Sequence, residues 1–144
     1  MNKTKEIFES LPLNTFNQAC VDKVNSLSPY HIKYILAITP RSGSSFLSEL
    51  LKKTEVLGIP QEFINQSFIP RHLNNKNPAR TPDDYLLNIF KVWKTKNGVA
   101  GIKASWFQFR NLYTILANPS VVSEYKYIYL IENEIDSKYI EVIL

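Results

Sequence analysis

The sequence predicts an α/β protein in which a parallel sheet is flanked by helices. Three short apolar runs carry that reading: "KYILAIT" at 33–39, "VAGIKA" at 99–104 and "YKYIYLI" at 125–131. Continuous apolar runs of strand length suit parallel strands buried on both faces. Helical segments separate them. The order strand, helix, helix, strand, helix, strand, helix is that of right-handed βαβ crossovers.

Residues 1–30 read as a helical N-terminal extension, with Phe16, Ala19, Cys20 and Val24 near helical spacing and Pro29 ending it. The first strand follows. From Ser44 to Lys53 the pattern turns helical, with Phe46, Leu47, Leu50 and Leu51 on one side. "LGIPQEFINQSF" reads as a loop, and the asparagine-rich "RHLNNKNPAR", 71–80, as a mobile polar one. "TPDDYLLNIFKVWKTKNG" is the clearest helix: Thr81 suits the N-cap, Pro82 the first turn and Asp84 the capping-box position. Asn97-Gly98 supplies its stop. "SWFQFRNLYTILAN" predicts a helix capped by Ser105 that ends before Pro119, and "EIDSKYIEVIL" predicts a last helix.

The bulk numbers exclude several classes. The chain has 144 residues, 44% hydrophobic and 21% charged, enough for a packed core. Its net charge of +4 fits an anionic ligand but is too weak, and too scattered, to indicate nucleic acid. Cys20 is the sole cysteine, so no intramolecular disulfide forms and a reducing compartment is the simpler reading. Beside Ala19 on an apolar face, Cys20 reads as a core residue. The N-terminus lacks an apolar secretory core, and no stretch approaches the ~18 apolar residues of a membrane span. The expected location is cytoplasmic. His31 and His72 are isolated and read as ordinary histidines, and no metal-ligand cluster is present in the sequence.

"ITPRSGSSFL" is the unusual stretch. A buried strand breaks, and an arginine, a glycine and three serines precede a helix. In open α/β sheets ligands bind beyond the carboxyl ends of the strands. A helix N-terminus carries free N–H groups and about half a positive charge, which favours an anion. Gly43 permits a tight turn, Ser42, Ser44 and Ser45 add hydroxyls, and Arg41 adds a planar cation suited to phosphate or sulfate. The lysine and first glycine of a nucleotide triphosphatase loop are missing. On composition alone, a serine-capped turn with a surface arginine remains an equal reading.

Two further stretches bear on that choice: "GIPQEF" at Gly58–Phe63 and "NGVAGIKASW" at Asn97–Trp106. Together with "YILAITPRSGSSFLSELL" they resemble the bacterial trehalose-sulfotransferase family over about Tyr34 to Ile131. The resemblance implies a P-loop-like sulfotransferase fold and 3'-phosphoadenosine 5'-phosphosulfate as co-substrate, with no metal. Arg41, Ser42, Gly43, Ser44 and Ser45 would bind the 5'-phosphosulfate. Glu62 matches the proposed general base, and Lys103 and Trp106 match a third motif with a substrate or supporting role. For Trp106 itself, a core position is the stronger expectation. The implied partner is a carbohydrate or glycolipid hydroxyl acceptor, and the family admits a homodimer.

The resemblance degrades from Glu132 onward. In the family an arginine and a serine beyond the third strand bind the 3'-phosphate. By position Glu132 and Glu141 stand there, and two carboxylates repel a phosphate. This reads as a sulfotransferase domain, 31–144, truncated at its C-terminus. Three functions follow: an active sulfotransferase, an inactive relative keeping only an anion- or nucleotide-binding loop, and a phosphate-binding kinase. The missing loop lysine and the lack of an acidic pair for magnesium disfavour the third.

Overall fold

The computed structural model describes residues 2–123, 125–132 and 138–143, with only the backbone for residues 131, 132 and 138–143. Three parallel strands form the sheet's centre: β1 (Ile32–Ile38), β2 (Val99–Ser105) and β3 (Lys126–Glu132), with β1 between the other two. All seven β1 residues pair with β2, from Ile32 against Val99 to Ile38 against Ser105. A fourth strand, β4 (Lys138–Ile143), pairs antiparallel with β3.

Alternation along the strands assigns the two faces. Ile35, Ala100, Ile102 and Ala104 join the larger core, with Leu86, Ile89 and Phe90 of α5 (Pro82–Val92) and Leu112 of α6 (Trp106–Tyr113). Tyr34, Leu36 and Val99 face the other way, where Leu47 and Leu51 of α3 (Ser44–Lys53) pack on them. Helices therefore cover both faces, as a parallel sheet requires. Phe46 and Leu50 of α3, expected on the packed side, are exposed. The N-terminal helices α1 (Lys3–Glu9) and α2 (Gln18–Asn25) lie against α4 (Ile69–His72), α5 and α6, and Phe8 enters the larger core. Cys20 is half-buried, short of the core position expected for it, because α2 turns Val24 inward instead. No helix among the described residues is long and apolar enough to cross a membrane.

The caps follow the sequence closely. Thr81 accepts from the backbone N–H of Asp84, and Ser105 forms a complete capping box with Gln108. The helix ends do not. α5 stops at Val92 because Thr95 closes a turn, its N–H and hydroxyl both donating to the Val99 carbonyl. Residues 138–143, expected to be helical, instead form β4. "KYIEVI" is rich in β-branched and aromatic residues, and the edge of β3 offers a free hydrogen-bonding ladder. The loop at 71–80 is not uniformly solvated, since Asn77, Pro78 and Ala79 are buried.

Packing between β1 and β2 hinges on Gly101. A Cβ there would lie 2.3 Å from Cζ of Tyr34, whose hydroxyl donates to the Leu57 carbonyl. Gly101→Ala is expected to destabilise the fold by about 1–3 kcal/mol through overpacking. Thermal denaturation followed by circular dichroism checks it, and an unchanged midpoint would mean the Tyr34 ring yields freely.

Candidate active site

β2 ends beside the start of α3, and the loop at 57–68 runs along its outer edge. Gln61 makes a one-residue parallel bridge with Ile102, and the Lys103 N–H donates to the Gln61 carbonyl. That bridge fixes the next residue, Glu62, over the carboxyl end of β2. Lys103 is buried. Its Nζ lies 3.6 Å from Glu62 Oε1 and donates to Ser45 Oγ at 3.3 Å. Ser45, Glu62 and Lys103 come from three separate stretches of sequence and meet around one ammonium.

Two further donors hold Glu62. Asn65 Nδ2 donates to Oε2 at 2.9 Å and Gln108 Nε2 at 3.4 Å. The capping box aims Gln108, whose Oε1 accepts from the Ser105 N–H. Burial pushes the Glu62 carboxyl up, but Asn65, Gln108 and Lys103 outweigh it and hold the group below its ordinary value of 4.5. Glu62 is therefore a carboxylate at neutral pH. The group lines a cavity of about 360 Å³ with Lys103, Ser45, Ser48, Phe68 and His72.

The turn before α3 is not capped by a serine. Gly43 occupies the cap position at φ 77°, and no side chain accepts from the first N–H groups. Arg41 also has positive φ, at 60°, and its side chain is exposed. The Ser42 hydroxyl is buried without a partner among the described residues, as is that of Ser48 one turn into α3. Uncapped N–H groups, an orphaned hydroxyl, a glycine and an arginine fit the phosphosulfate end of the expected co-substrate.

Trp106 departs from its expected place. It is 71% exposed at the first turn of α6, so the core position is overturned. Among the described residues, the outward face of α6 leaves Trp106 and Phe107 exposed. With Phe109, Tyr127, Tyr129 and the end of β1, Trp106 borders a second, apolar cavity of about 540 Å³. Among the described residues, no hydrogen bond or ion pair joins Arg41 or Trp106 to the Glu62 cluster. Sequence reasoning missed Asn65, Gln108, Ser48 and His72. The S-x-x-Q spacing marks Gln108 as a capping-box residue, whereas the other three carry no local signal. The Glu132 and Glu141 side chains lie outside the described residues.

The depressed Glu62 carboxyl has a signed consequence. Its charge adds stability above about pH 4.5, and that contribution is lost as pH falls through the lower folded-state value. Lys103→Met removes one of the interactions favouring the charged form, so the Glu62 midpoint is expected to rise. Carbon-detected NMR titration of both proteins measures it. A midpoint unmoved by the substitution would show that Lys103 exerts no hold on the carboxylate.

The Stf0 sulphotransferase family profile matches residues 33–128, more than half of the chain. No curated protein and no solved structure gives a significant match. The match contains β1 from Lys33 onward, the turn, Glu62 and all of β2 with Lys103. With that extent of agreement, this chain belongs to the Stf0 sulphotransferase family.

Proposed function

We propose that the protein transfers a sulfuryl group from 3'-phosphoadenosine 5'-phosphosulfate to a hydroxyl of a carbohydrate-type acceptor, with Glu62 as general base. The observation that carries this reading is the Lys103 ammonium, set between Ser45 of the anion-binding turn and the Glu62 carboxylate. An anion held by the turn and a hydroxyl held by Glu62 would then be neighbours.

The donor supplies an activated sulfuryl group with a phosphate leaving group. The chain's own residues do the rest. Ser42, Ser44 and Ser45 hydroxyls, the free N–H groups after Gly43 and the Arg41 guanidinium hold the phosphosulfate. Arg41 and Lys103 offset the negative charge that grows as the bond to phosphate breaks. Glu62 takes the proton of the attacking hydroxyl, a role worth about 10²–10⁴-fold. Asn65 and Gln108 fix its orientation. Trp106, exposed at the first turn of α6 on the apolar cavity, would meet only the outer part of a bound molecule.

One observation favours a second reading. After β3 the backbone returns as β4. A β3 edge occupied by another strand is not the loop-and-helix entry that suits a 3'-phosphate. That supports a relative that binds an anion or nucleotide without transferring sulfate.

Calorimetric titration with 3'-phosphoadenosine 5'-phosphate and transfer of sulfur label to a sugar panel separate the two. The first reading expects binding, transfer, and about 10²–10⁴-fold loss of transfer in Glu62→Gln with binding kept. Arg41→Ala should weaken nucleotide binding about 10- to 100-fold, the value of one charge-assisted hydrogen bond. Binding without transfer to any sugar supports the second reading, and absence of both by folded protein rejects each.

A further inference from the structure

His72 lines both the cavity at Glu62 and a smaller one of about 230 Å³, bordered by Asn77 and Trp93. Lys76 and Val92 in turn belong both to this cavity and to a third, of about 450 Å³, where Lys23, Lys91 and Lys94 gather. The three spaces adjoin through shared side chains.

Asn77 is 3% exposed, and neither its Oδ1 nor its Nδ2 has a hydrogen-bond partner among the described residues. A buried carboxamide with both ends orphaned is costly. Both amide atoms are themselves closed to solvent, so a sugar ring meets them only by parting the cavity wall, where a donor and an acceptor lie side by side to match two adjacent hydroxyls. Trp93, half-buried beside it, offers an apolar wall for the ring's carbon face.

The charge beyond is one-sided. Lys23, Lys76, Lys91 and Lys94 border the third cavity, no carboxylate lines it, and none of the four is ion-paired among the described residues. Like charges gathered at one cavity repel, and an anion relieves that repulsion. A neutral acceptor makes no use of them. Nucleic acid would use the lysines but leaves the orphaned amide at Asn77 unexplained.

We infer that the acceptor is an acidic oligosaccharide, seated with one hydroxyl at Glu62, a further ring against Asn77 and Trp93, and anionic groups among the four lysines. This rests on the Glu62 cavity being the acceptor site, as proposed above.

Calorimetry of the full chain without donor tests it, using trigalacturonic acid, maltotriose and a thymidine oligomer of matched charge as probes. Trigalacturonic acid is expected to bind about tenfold or more tightly than maltotriose, with affinity falling as salt rises. Lys91→Gln with Lys94→Gln should cost about tenfold, and Asn77→Ala should weaken the acidic trisaccharide further. Because Asn77 is buried, the less deeply buried lysine pair keeps the test valid if that variant fails to fold. Equal binding of both trisaccharides, binding of neither, or equal binding of the thymidine oligomer that ignores Asn77→Ala would each overturn the inference. Binding is read without transfer, so a protein that binds trigalacturonic acid but moves no sulfate keeps the acidic-oligosaccharide site and defeats the proposed chemistry, and with it that sugar's role as acceptor. Transfer confined to neutral monosaccharides does the reverse.

Discussion

The burial of one lysine organises this site. An ammonium taken out of water is tolerated only with charge and hydrogen-bond partners close by. Lys103 is 7% exposed, and its partners are Glu62 and Ser45. Satisfying it brings the loop at 57–68 against the edge of β2 and brings α3 over the strand's end. Glu62 in turn needs donors on its other oxygen. Asn65 supplies one from its own loop and Gln108 another from α6. Four elements are thus tied to one charge, and the geometry of the cavity follows from pairing it.

The same demand bears on the two readings left open for "RSGSS". In a plain serine-capped turn, a serine hydroxyl would accept from the first N–H groups of α3. None does. Gly43 holds the cap position in the left-handed region, Ser45 accepts from the Lys103 ammonium, and Ser42 is buried with its hydroxyl unpartnered among the described residues. The turn leaves donors unmatched on its own chain, which is the condition for receiving an anion.

Much of the fold was legible in the sequence because its signals are local. Three apolar runs became the three parallel strands, and Thr81 and Ser105 cap the helices expected of them. What misled was non-local. "KYIEVI" carries enough β-branched and aromatic side chains to follow whichever neighbour presents itself, and the edge of β3 decides for a strand. Residues 71–80 are polar in composition, yet Asn77 is drawn inward with Pro78 and Ala79, where Asn88 of α5 donates to the Pro78 carbonyl. Within the site, Glu62 and Lys103 stood out only through their flanking motifs. No pattern could foretell that Asn65 and Gln108 would share one carboxylate oxygen.

That sharing bears on how a depressed carboxylate can serve as a base. A low pKa reduces the driving force for taking a proton, so the orientation of the free lone pairs matters more. Both side-chain amides converge on Oε2. Oε1 faces Lys103 at 3.6 Å, longer than the 2.7–2.9 Å of a close charge-assisted hydrogen bond. One oxygen is therefore saturated and fixed while the other keeps room for a donor. An acceptor hydroxyl reaching Oε1 would complete that atom's hydrogen bonding and would arrive next to the ammonium that also touches Ser45. The oxygen proposed to accept the proton and the turn proposed to bind the anion are tied to the same buried charge, so neither can be displaced without disturbing the other.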